Sequence, residues 1–80
     1  MSDYENIVIS AVRYALGRMT YIVNTTVEYV LKDIEQGKLS KNCLYVMRKD
    51  IKEAKHLGME CDIKDWQRLL KKIDEVMEEE

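Results

Sequence analysis

Apolar residues recur along this chain at the three- and four-residue spacing of an α-helix, not at the two-residue spacing of a strand. Four such stripes follow one another: Tyr4, Ile7, Val8, Ala11 and Ala15; then Val23, Val27, Val30, Leu31 and Ile34; then Leu44, Met47, Ile51 and Ala54; and finally Ile63, Trp66, Leu69, Leu70, Ile73, Val76 and Met77. An apolar stripe is what a helix needs to pack on a core. The pattern predicts an all-α fold, a compact bundle of about four helices.

Start and stop signals divide the chain in the same way. It has no proline, and its 3 glycines, at positions 17, 37 and 58, stand where an apolar stripe ends, a common place for glycine. Ser2 followed by Glu5 is a capping-box pattern, and Ser40 precedes the third stripe as a helix-capping residue would. We expect helices over about 3–17, 20–36, 41–57 and 63–78, in a single domain spanning residues 1–80. No internal repeat is evident.

Two other interpretations concern the first half of the chain. β-branched residues, which weaken helix preference, are dense there, so residues 21–29 could form a strand, although no partner strand or hairpin turn is evident. Alternatively, one long helix runs from Asp3 to Glu35 and is kinked at Gly17. The fold is then one long kinked helix plus two shorter ones, and it is still all-α.

The first two helices are apolar on more than one face. Ile9, Val12 and Leu16 lie off the main stripe of the first helix, and Ile22, Thr26 and Tyr29 lie off that of the second. A domain this small buries only about 60% of the surface that its unfolded chain exposes, and a helix that is apolar nearly all round is normally buried on most sides. We therefore predict a homo-oligomer that assembles through residues 7–31.

Charge and composition narrow the partners. The formal net charge of −2 argues against nucleic acid, because nucleic-acid binders usually carry a basic surplus. Arg48, Lys49 and Lys52 are interleaved with Asp50 and Glu53, a pattern typical of a solvated helix face. No apolar run approaches the ~20 residues that a membrane span requires, and no signal peptide is evident. We expect a cytoplasmic protein without a membrane partner.

Signatures of catalysis are largely missing. The only histidine, His56, fits the last turn of the third helix, and Cys43 and Cys61 are interpreted as reduced thiols, since two cysteines in a cytosolic chain rarely form a disulfide. These residues are too few for a zinc site, and no glycine-rich phosphate loop is present. We expect no enzyme activity, no metal and no cofactor. Trp66 is predicted to be a core residue whose indole N–H needs an acceptor.

The candidate site lies in a segment that is poor in charge. From Asn6 to Leu31 the only charged side chains are Arg13, Arg18 and Glu28. Arginine in apolar surroundings is costly unless it meets an anion or several acceptors. The candidate ligand-binding residues are those of this cluster: Arg13, Tyr14, Gly17, Arg18, Thr20 and Tyr21.

The chemistry of this cluster suits a phosphate or a carboxylate. On a continuous helix Arg13, Gly17 and Tyr21 share one face, and Tyr14 and Arg18 share another. Arginine supplies paired planar donors, and tyrosine supplies a hydroxyl and a stacking surface. If Gly17 instead ends the first helix and Thr20 caps the second, the free amides of the second helix add to the anion site.

A structural role for the same residues competes with this interpretation. Arginines beside a helix end can bind its last carbonyls, or they can form ion pairs with Glu28, Asp62 or Asp65, while the tyrosines fill the edge of the core. Residues alone leave both interpretations open.

Two segments, residues 13–23 (RYALGRMTYIV) and residues 60–66 (ECDIKDW), resemble those of a group of small proteins encoded by phages and prophages, mainly of Gram-positive bacteria. In that group a second arginine often takes the position of Met19, so this chain offers less positive charge to an anion. The resemblance implies an accessory protein in the cytoplasm of the infected or lysogenic host. Such proteins frequently bind and block a host component, including immune nucleases and the nucleotide signals of defence systems.

Three functions follow from these observations. The leading hypothesis is a non-catalytic counter-defence protein that captures an anionic, nucleotide-like ligand in an oligomeric helical scaffold. The alternative is a protein-interaction inhibitor of a host enzyme such as a nuclease, acting through acidic helices at Asp50–Glu53 or Asp74–Glu80. The third is a helical DNA-binding regulator that uses the segment after Ser40, which the acidic balance disfavours.

Overall fold

The computed structural model describes residues 1–78, which form four α-helices: α1 (Asp3–Ala15), α2 (Thr20–Glu35), α3 (Lys41–Glu53) and α4 (Glu60–Glu78). No strand occurs within these residues, so the all-α prediction is confirmed. Residues 21–29 belong to α2, and the strand interpretation is wrong. Glu79 and Glu80, the end of the predicted acidic segment, lie outside the described residues.

Gly17 separates α1 from α2. It adopts a φ of +75°, a left-handed conformation that glycine reaches at little cost, and Leu16 before it is already extended. The alternative of one long helix from Asp3 to Glu35 is therefore wrong. Helix α1 begins at the capping box that Ser2 and Glu5 form, as the sequence predicts.

The boundary between α3 and α4 differs from the prediction. Helix α3 ends at Glu53, not near residue 57, because the backbone of Ala54 is extended. His56 therefore lies in the connection and not in the last turn of a helix. Helix α4 begins at Glu60, not at residue 63. The Asp62 carboxylate accepts a hydrogen bond from the Met59 amide at 2.9 Å, and this bond stabilises the first turn of the helix.

Helices α1 and α3 run side by side in the same direction. Near their starts, Glu5 accepts hydrogen bonds from the amide and the hydroxyl of Ser40 at 2.7 and 2.6 Å. Near their ends, Arg13 forms an ion pair with Asp50. Because the contacts join start to start and end to end, the two helices are parallel.

Helices α2 and α4 are parallel for the same reason. Their side-chain contacts join residues 40 or 41 positions apart along the N-terminal half of α2, namely Thr20 with Cys61, Asn24 with Asp65 and Glu28 with Arg68. Helix α1 also packs on α2, and α3 on α4, whereas α1 and α4 lie across a diagonal, as do α2 and α3. The molecule is thus two helical hairpins, α1–α2 and α3–α4, stacked in the same orientation.

The two hairpins repeat one backbone plan that the sequence analysis does not detect. A serine, Ser2 or Ser40, caps a first helix of 13 residues in each hairpin. A Leu-Gly pair then turns the chain, and both glycines, Gly17 and Gly58, have positive φ. The residues between the capping serine and the Leu-Gly pair differ in the two hairpins. The repeat is therefore recognised from the backbone and not from the amino-acid sequence.

The core lies where the four helices meet. It contains 15 buried apolar residues, namely Val8, Ile9, Val12, Ala15, Val23, Val27, Val30, Ile34, Cys43, Leu44, Met47, Ile51, Trp66, Leu69 and Ile73. Trp66 is fully buried, as predicted, but its indole nitrogen has no hydrogen-bond partner among the described residues. The expected acceptor is therefore absent from this part of the chain.

The buried face of α1 is turned away from the predicted stripe. The sequence pattern placed Ile9 and Val12 off the stripe, but both are buried in the core. Tyr4 and Ile7, which the pattern placed on the stripe, are exposed. The rotation has a physical cause. Glu5 must face α3 to meet Ser40, and this orientation directs the positions on the opposite side of α1 outward.

Candidate functional site

The turns of the two hairpins lie together at one end of the molecule and border an open cleft of about 320 Å³, which we call the turn cleft. Its walls come from residues 16–19 and 54–59 and from the first turns of α2 and α4: Gly17, Arg18, Met19, Thr20, His56, Gly58, Met59 and Asp62. The backbones of the two turns approach each other closely, since a Cβ atom on Gly17 would lie 3.4 Å from the carbonyl oxygen of His56. Glycine is thus suited to position 17 both by its φ and by the space.

Arg13 does not line the turn cleft. Its Nε donates to Asp50 Oδ2 at 2.6 Å, so that it connects the C-terminal half of α1 to α3. Glu28, Asp62 and Asp65, the partners considered from the sequence, do not fill this role. Because the chain turns at Gly17, Arg13 also shares no helix face with Tyr21.

Arg18 lies at the edge of the turn cleft and is held by Tyr14. Its Nε donates to the backbone oxygen of Tyr14 at 3.1 Å, and its guanidinium carbon lies 4.6 Å from the centre of the Tyr14 ring. The hydrogen bond satisfies a carbonyl of the last turn of α1, and the ring attracts the cation. No carboxylate among residues 1–78 forms an ion pair with Arg18, so its charge is not neutralised.

Helix α2 begins in the turn cleft without a side-chain cap. The N-cap residue is Met19, not Thr20 as one of the two sequence interpretations had it, and no side chain among residues 1–78 accepts from the first turn. The amides of Ile22 and Val23 bond to the carbonyl of Met19, which leaves those of Thr20 and Tyr21 without an intrahelical acceptor. The first turn of α2 also contains no acidic residue, so the positive end of its dipole is not offset.

Helix α4 begins beside α2, and the two helix ends differ in charge. Thr20 Oγ1 lies 3.7 Å from Cys61 Sγ, so the two N-termini are neighbours. Glu60 and Asp62 supply negative charge in the first turn of α4, and Asp62 is buried with its carboxylate bonded to the Met59 amide. An anion entering the turn cleft is therefore expected at the α2 end.

The structure unites only part of the predicted cluster. Gly17, Arg18 and Thr20 line the turn cleft, whereas the side chain of Tyr21, which is 77% exposed, and that of Tyr14 lie outside it. Five wall residues were not in the predicted site: Met19, His56, Gly58, Met59 and Asp62. The second Leu-Gly pair, at positions 57 and 58, is the sequence signal that could have indicated the second turn.

Two ionisable groups with perturbed pKa values lie at the opposite end of the bundle and connect helices. Hydrogen bonds from the hydroxyl and the amide of Ser40 lower the pKa of Glu5 to about 2. Tyr4 donates to the buried carboxylate of Asp33 at 2.5 Å, and this bond raises the pKa of the Tyr4 phenol. Both interactions support the fold and neither touches the turn cleft.

The thiols and other potential metal ligands form no further site within residues 1–78. Cys43 is buried, and burial, with a contribution from the charge of Glu5, raises the pKa of its thiol to about 11. Cys61 is exposed beside Thr20. No group of three or more histidine, cysteine, aspartate or glutamate side chains in this part of the chain could hold a metal ion.

Comparison with protein-family models, with curated proteins and with solved structures finds no match for this chain. What the structure defines is a class of fold, a pair of stacked helical hairpins whose turns form a cleft. Among the described residues, no helix is long and apolar enough to span a bilayer.

Proposed function

We propose that this chain is a non-catalytic binding protein that captures a small anionic, nucleotide-like ligand in the turn cleft. The observation that carries the proposal is the uncapped start of α2, which lies beside an arginine without a carboxylate partner. Free amides at a helix start combined with a guanidinium are a common way to bind a phosphate group.

The turn cleft offers a phosphate several donors. The amides of Thr20 and Tyr21 and the hydroxyl of Thr20 can donate from the start of α2, and Arg18 can add its guanidinium from the edge. Met19 and Met59, both largely exposed at the cleft, provide apolar surface for a base or a sugar. A volume of about 320 Å³ is at the lower end of the range for small-molecule sites.

The two arginines have different roles in this proposal. Arg13 is engaged by Asp50 at 2.6 Å and is a structural residue. Arg18 is the ligand-binding arginine, because its partners, the carbonyl and ring of Tyr14, leave its charge available. Tyr14 positions Arg18 and does not stack on the ligand itself.

Ion pairing counts against the alternative in which acidic helices inhibit a host enzyme. Asp50 is paired with Arg13, and Asp74 is paired with Arg48 at 3.0 Å. Charges that are matched within the chain attract a basic partner less strongly. For the DNA-binding alternative, the pairing of Arg48 likewise reduces the positive charge of α3.

The biological context of the proposal is counter-defence by sequestration. It rests on the resemblance of residues 13–23 and 60–66 to small phage and prophage proteins. A chain that binds a nucleotide signal without converting it lowers the free concentration of that signal, and so it prevents activation of the host enzyme that the signal controls. This role requires binding residues only.

Thermal unfolding in the presence of nucleotides tests the proposal. A ligand that binds only the folded chain and is present at tenfold its Kd adds about 1.4 kcal/mol, which corresponds to a rise in Tm of roughly 6–11 °C for a domain of this size. The panel includes inorganic phosphate, mononucleotides and cyclic nucleotides. We expect at least one nucleotide to raise the Tm of the wild-type chain by an amount in this range.

Two arginine variants provide the matched comparison. Arg18→Ala should lose most of the nucleotide-dependent rise, whereas Arg13→Ala, which has a lower Tm of its own, should keep it. The proposal is wrong if no nucleotide stabilises the wild-type chain. It is also wrong if the two variants respond equally, because the guanidinium at the turn cleft would then not bind the ligand.

A further inference from the structure

The hairpin α1–α2 has an exposed apolar surface on the side that faces away from α3 and α4. We call it the outer face. It consists of Tyr4, Ile7, Ala11 and Tyr14, spaced by three and four residues along α1, together with Thr25 and Tyr29 on α2. Ile7 is 66% exposed, and an apolar groove of about 250 Å³ runs between the two helices.

The six residues of the outer face carry no formal charge, and charged groups touch it only at its two ends. There the Arg18 guanidinium stacks on Tyr14, and the Asp33 carboxylate accepts a hydrogen bond from Tyr4. Arg13 is drawn to Asp50 on α3, and Glu28 is drawn to Arg68 on α4. The polar atoms of the face are the hydroxyls of three tyrosines and a threonine. A partner for this surface must therefore be apolar and uncharged where it makes contact.

The opposite end of the hairpin stack has a different surface. On α3, Arg48 pairs with Asp74 of α4, and Tyr45 lies beside the guanidinium of Arg48. Lys49 and Lys52 are exposed on the same helix. Stacked helical hairpins that end at solvent present a polar surface of this kind. The outward surface of the α3–α4 hairpin is thus suited to solvent, whereas the outer face of α1–α2 is apolar and suited to contact with another protein surface.

We propose that the outer face binds the outer face of a second copy of this chain, so that the protein forms a closed, two-fold dimer. Head-to-tail stacking would instead place Ile7 against the charged surface of α3–α4 and would bury unpaired charges, which is unfavourable. In a two-fold contact, apolar residues meet apolar residues. The hydroxyls of Tyr14, Thr25 and Tyr29 also suit this arrangement, because a hydroxyl can both donate and accept and so can bond to a hydroxyl of the second copy.

The dimensions of the outer face set the expected strength. Helix α1 has 13 residues, a length of about 20 Å at 1.5 Å per residue, and the axes of packed helices are ~8–10 Å apart. A contact two helices wide and about 20 Å long belongs with the smaller specific interfaces, which tend to be transient. We expect a dimer that dissociates in the micromolar range, and it forms whether or not the turn cleft holds a ligand.

Analytical ultracentrifugation of the full chain tests the proposal over concentrations from about 1 to 500 µM, which span the expected Kd. The weight-average mass should rise from 9.5 kDa and level off at twice that value. Ile7→Asp should weaken the dimer by more than about tenfold, because a carboxylate would be buried at the contact. Tyr45→Asp, a change of equal charge on the α3–α4 surface, should associate as the wild-type chain does.

Far-UV circular dichroism of the variants separates loss of the dimer from loss of the fold. Ile7 is largely exposed, so the Asp variant should keep its helical content; if it does not, Ala11→Glu takes its place. A wild-type chain that stays monomeric at all concentrations overturns the proposal. So does a mass that keeps rising, which would indicate open stacking, or a dimer that Tyr45→Asp breaks and Ile7→Asp does not. None of these outcomes depends on nucleotide binding.

Discussion

Gly58 provides a sharp test of how the α3–α4 turn is held. Its φ is +101°, and a Cβ atom at this position would lie 2.5 Å from Asp62 Oδ2 and 3.2 Å from Asp62 Cγ. Alanine would therefore strain the backbone and displace the carboxylate that accepts from the Met59 amide. We expect Gly58→Ala to destabilise the fold and to perturb the start of α4.

The magnitude combines two terms. A left-handed conformation in a residue other than glycine costs about 1–3 kcal/mol, and loss of an acceptor at a helix start costs about 0.5–2 kcal/mol. Together they predict a decrease of about 2–4 kcal/mol in the free energy of unfolding, since the strain and the displaced carboxylate partly relieve each other. This is a large fraction of the stability of a small domain.

Gly37→Ala is the matched control. Its φ is +68°, but no atom of the described residues lies within 4 Å of the added Cβ, so only the strain term applies. Urea unfolding followed by the fluorescence of the buried Trp66 measures both variants. With an m value of about 1 kcal/mol/M, the lost acceptor should place the midpoint of Gly58→Ala about 0.5–2 M below that of Gly37→Ala. Equal midpoints would refute the account of the Gly58–Asp62 contact.

Two further predictions concern Glu5 and Trp66. The pKa of Glu5 in the folded chain, about 2, is below its ordinary value of 4.5, so the ionised carboxylate stabilises the fold above about pH 4.5 and this contribution is lost as the pH falls towards 2. Glu5→Gln should therefore be less stable than the wild-type chain at pH 7, and the gap should narrow between pH 4.5 and 2; a gap independent of pH would contradict this. The buried indole N–H of Trp66 has no hydrogen-bond partner among the described residues, and an unsatisfied donor costs about 1–3 kcal/mol. Trp66→Phe removes this donor, so it should destabilise the fold far less than Trp66→Ala, for which a loss of ~3–5 kcal/mol is typical. Thermal unfolding by circular dichroism compares the two substitutions, and a loss for Trp66→Phe as large as that for Trp66→Ala would contradict this prediction.

Local signals were sufficient to predict most of the fold. Helical spacing and the serine caps predicted an all-α fold of about four helices, whereas the sequence left open whether Gly17 ends α1 or kinks a longer helix. The end of α3 was missed because residues 54–57 continue the apolar spacing, while the backbone at Ala54 is already extended. The rotation of α1 was missed because the hydrogen bonds between Glu5 and Ser40 join residues 35 positions apart, which no local pattern reveals.

The candidate site was predicted in part for a related reason. Arg18 and Gly17 act locally, within the turn between α1 and α2, and sequence spacing indicates such relations. The ion pair of Arg13 with Asp50 and the approach of the turn at His56 depend on how the two hairpins stack. Stacking results from the whole core, so spacing along the chain could not separate the structural arginine from the one at the turn cleft.

Amide chemical shifts test the central claim, anion capture at the start of α2, most directly. Two-dimensional 1H–15N spectra of the full chain are recorded during titration with the nucleotides of the panel and with inorganic phosphate. Capture in the turn cleft predicts that the largest changes occur at the amides of Thr20 and Tyr21 and at Arg18, with little change at Lys49 and Lys52 on α3. Absence of any saturable change, or changes centred on the α3 lysines, would contradict the account.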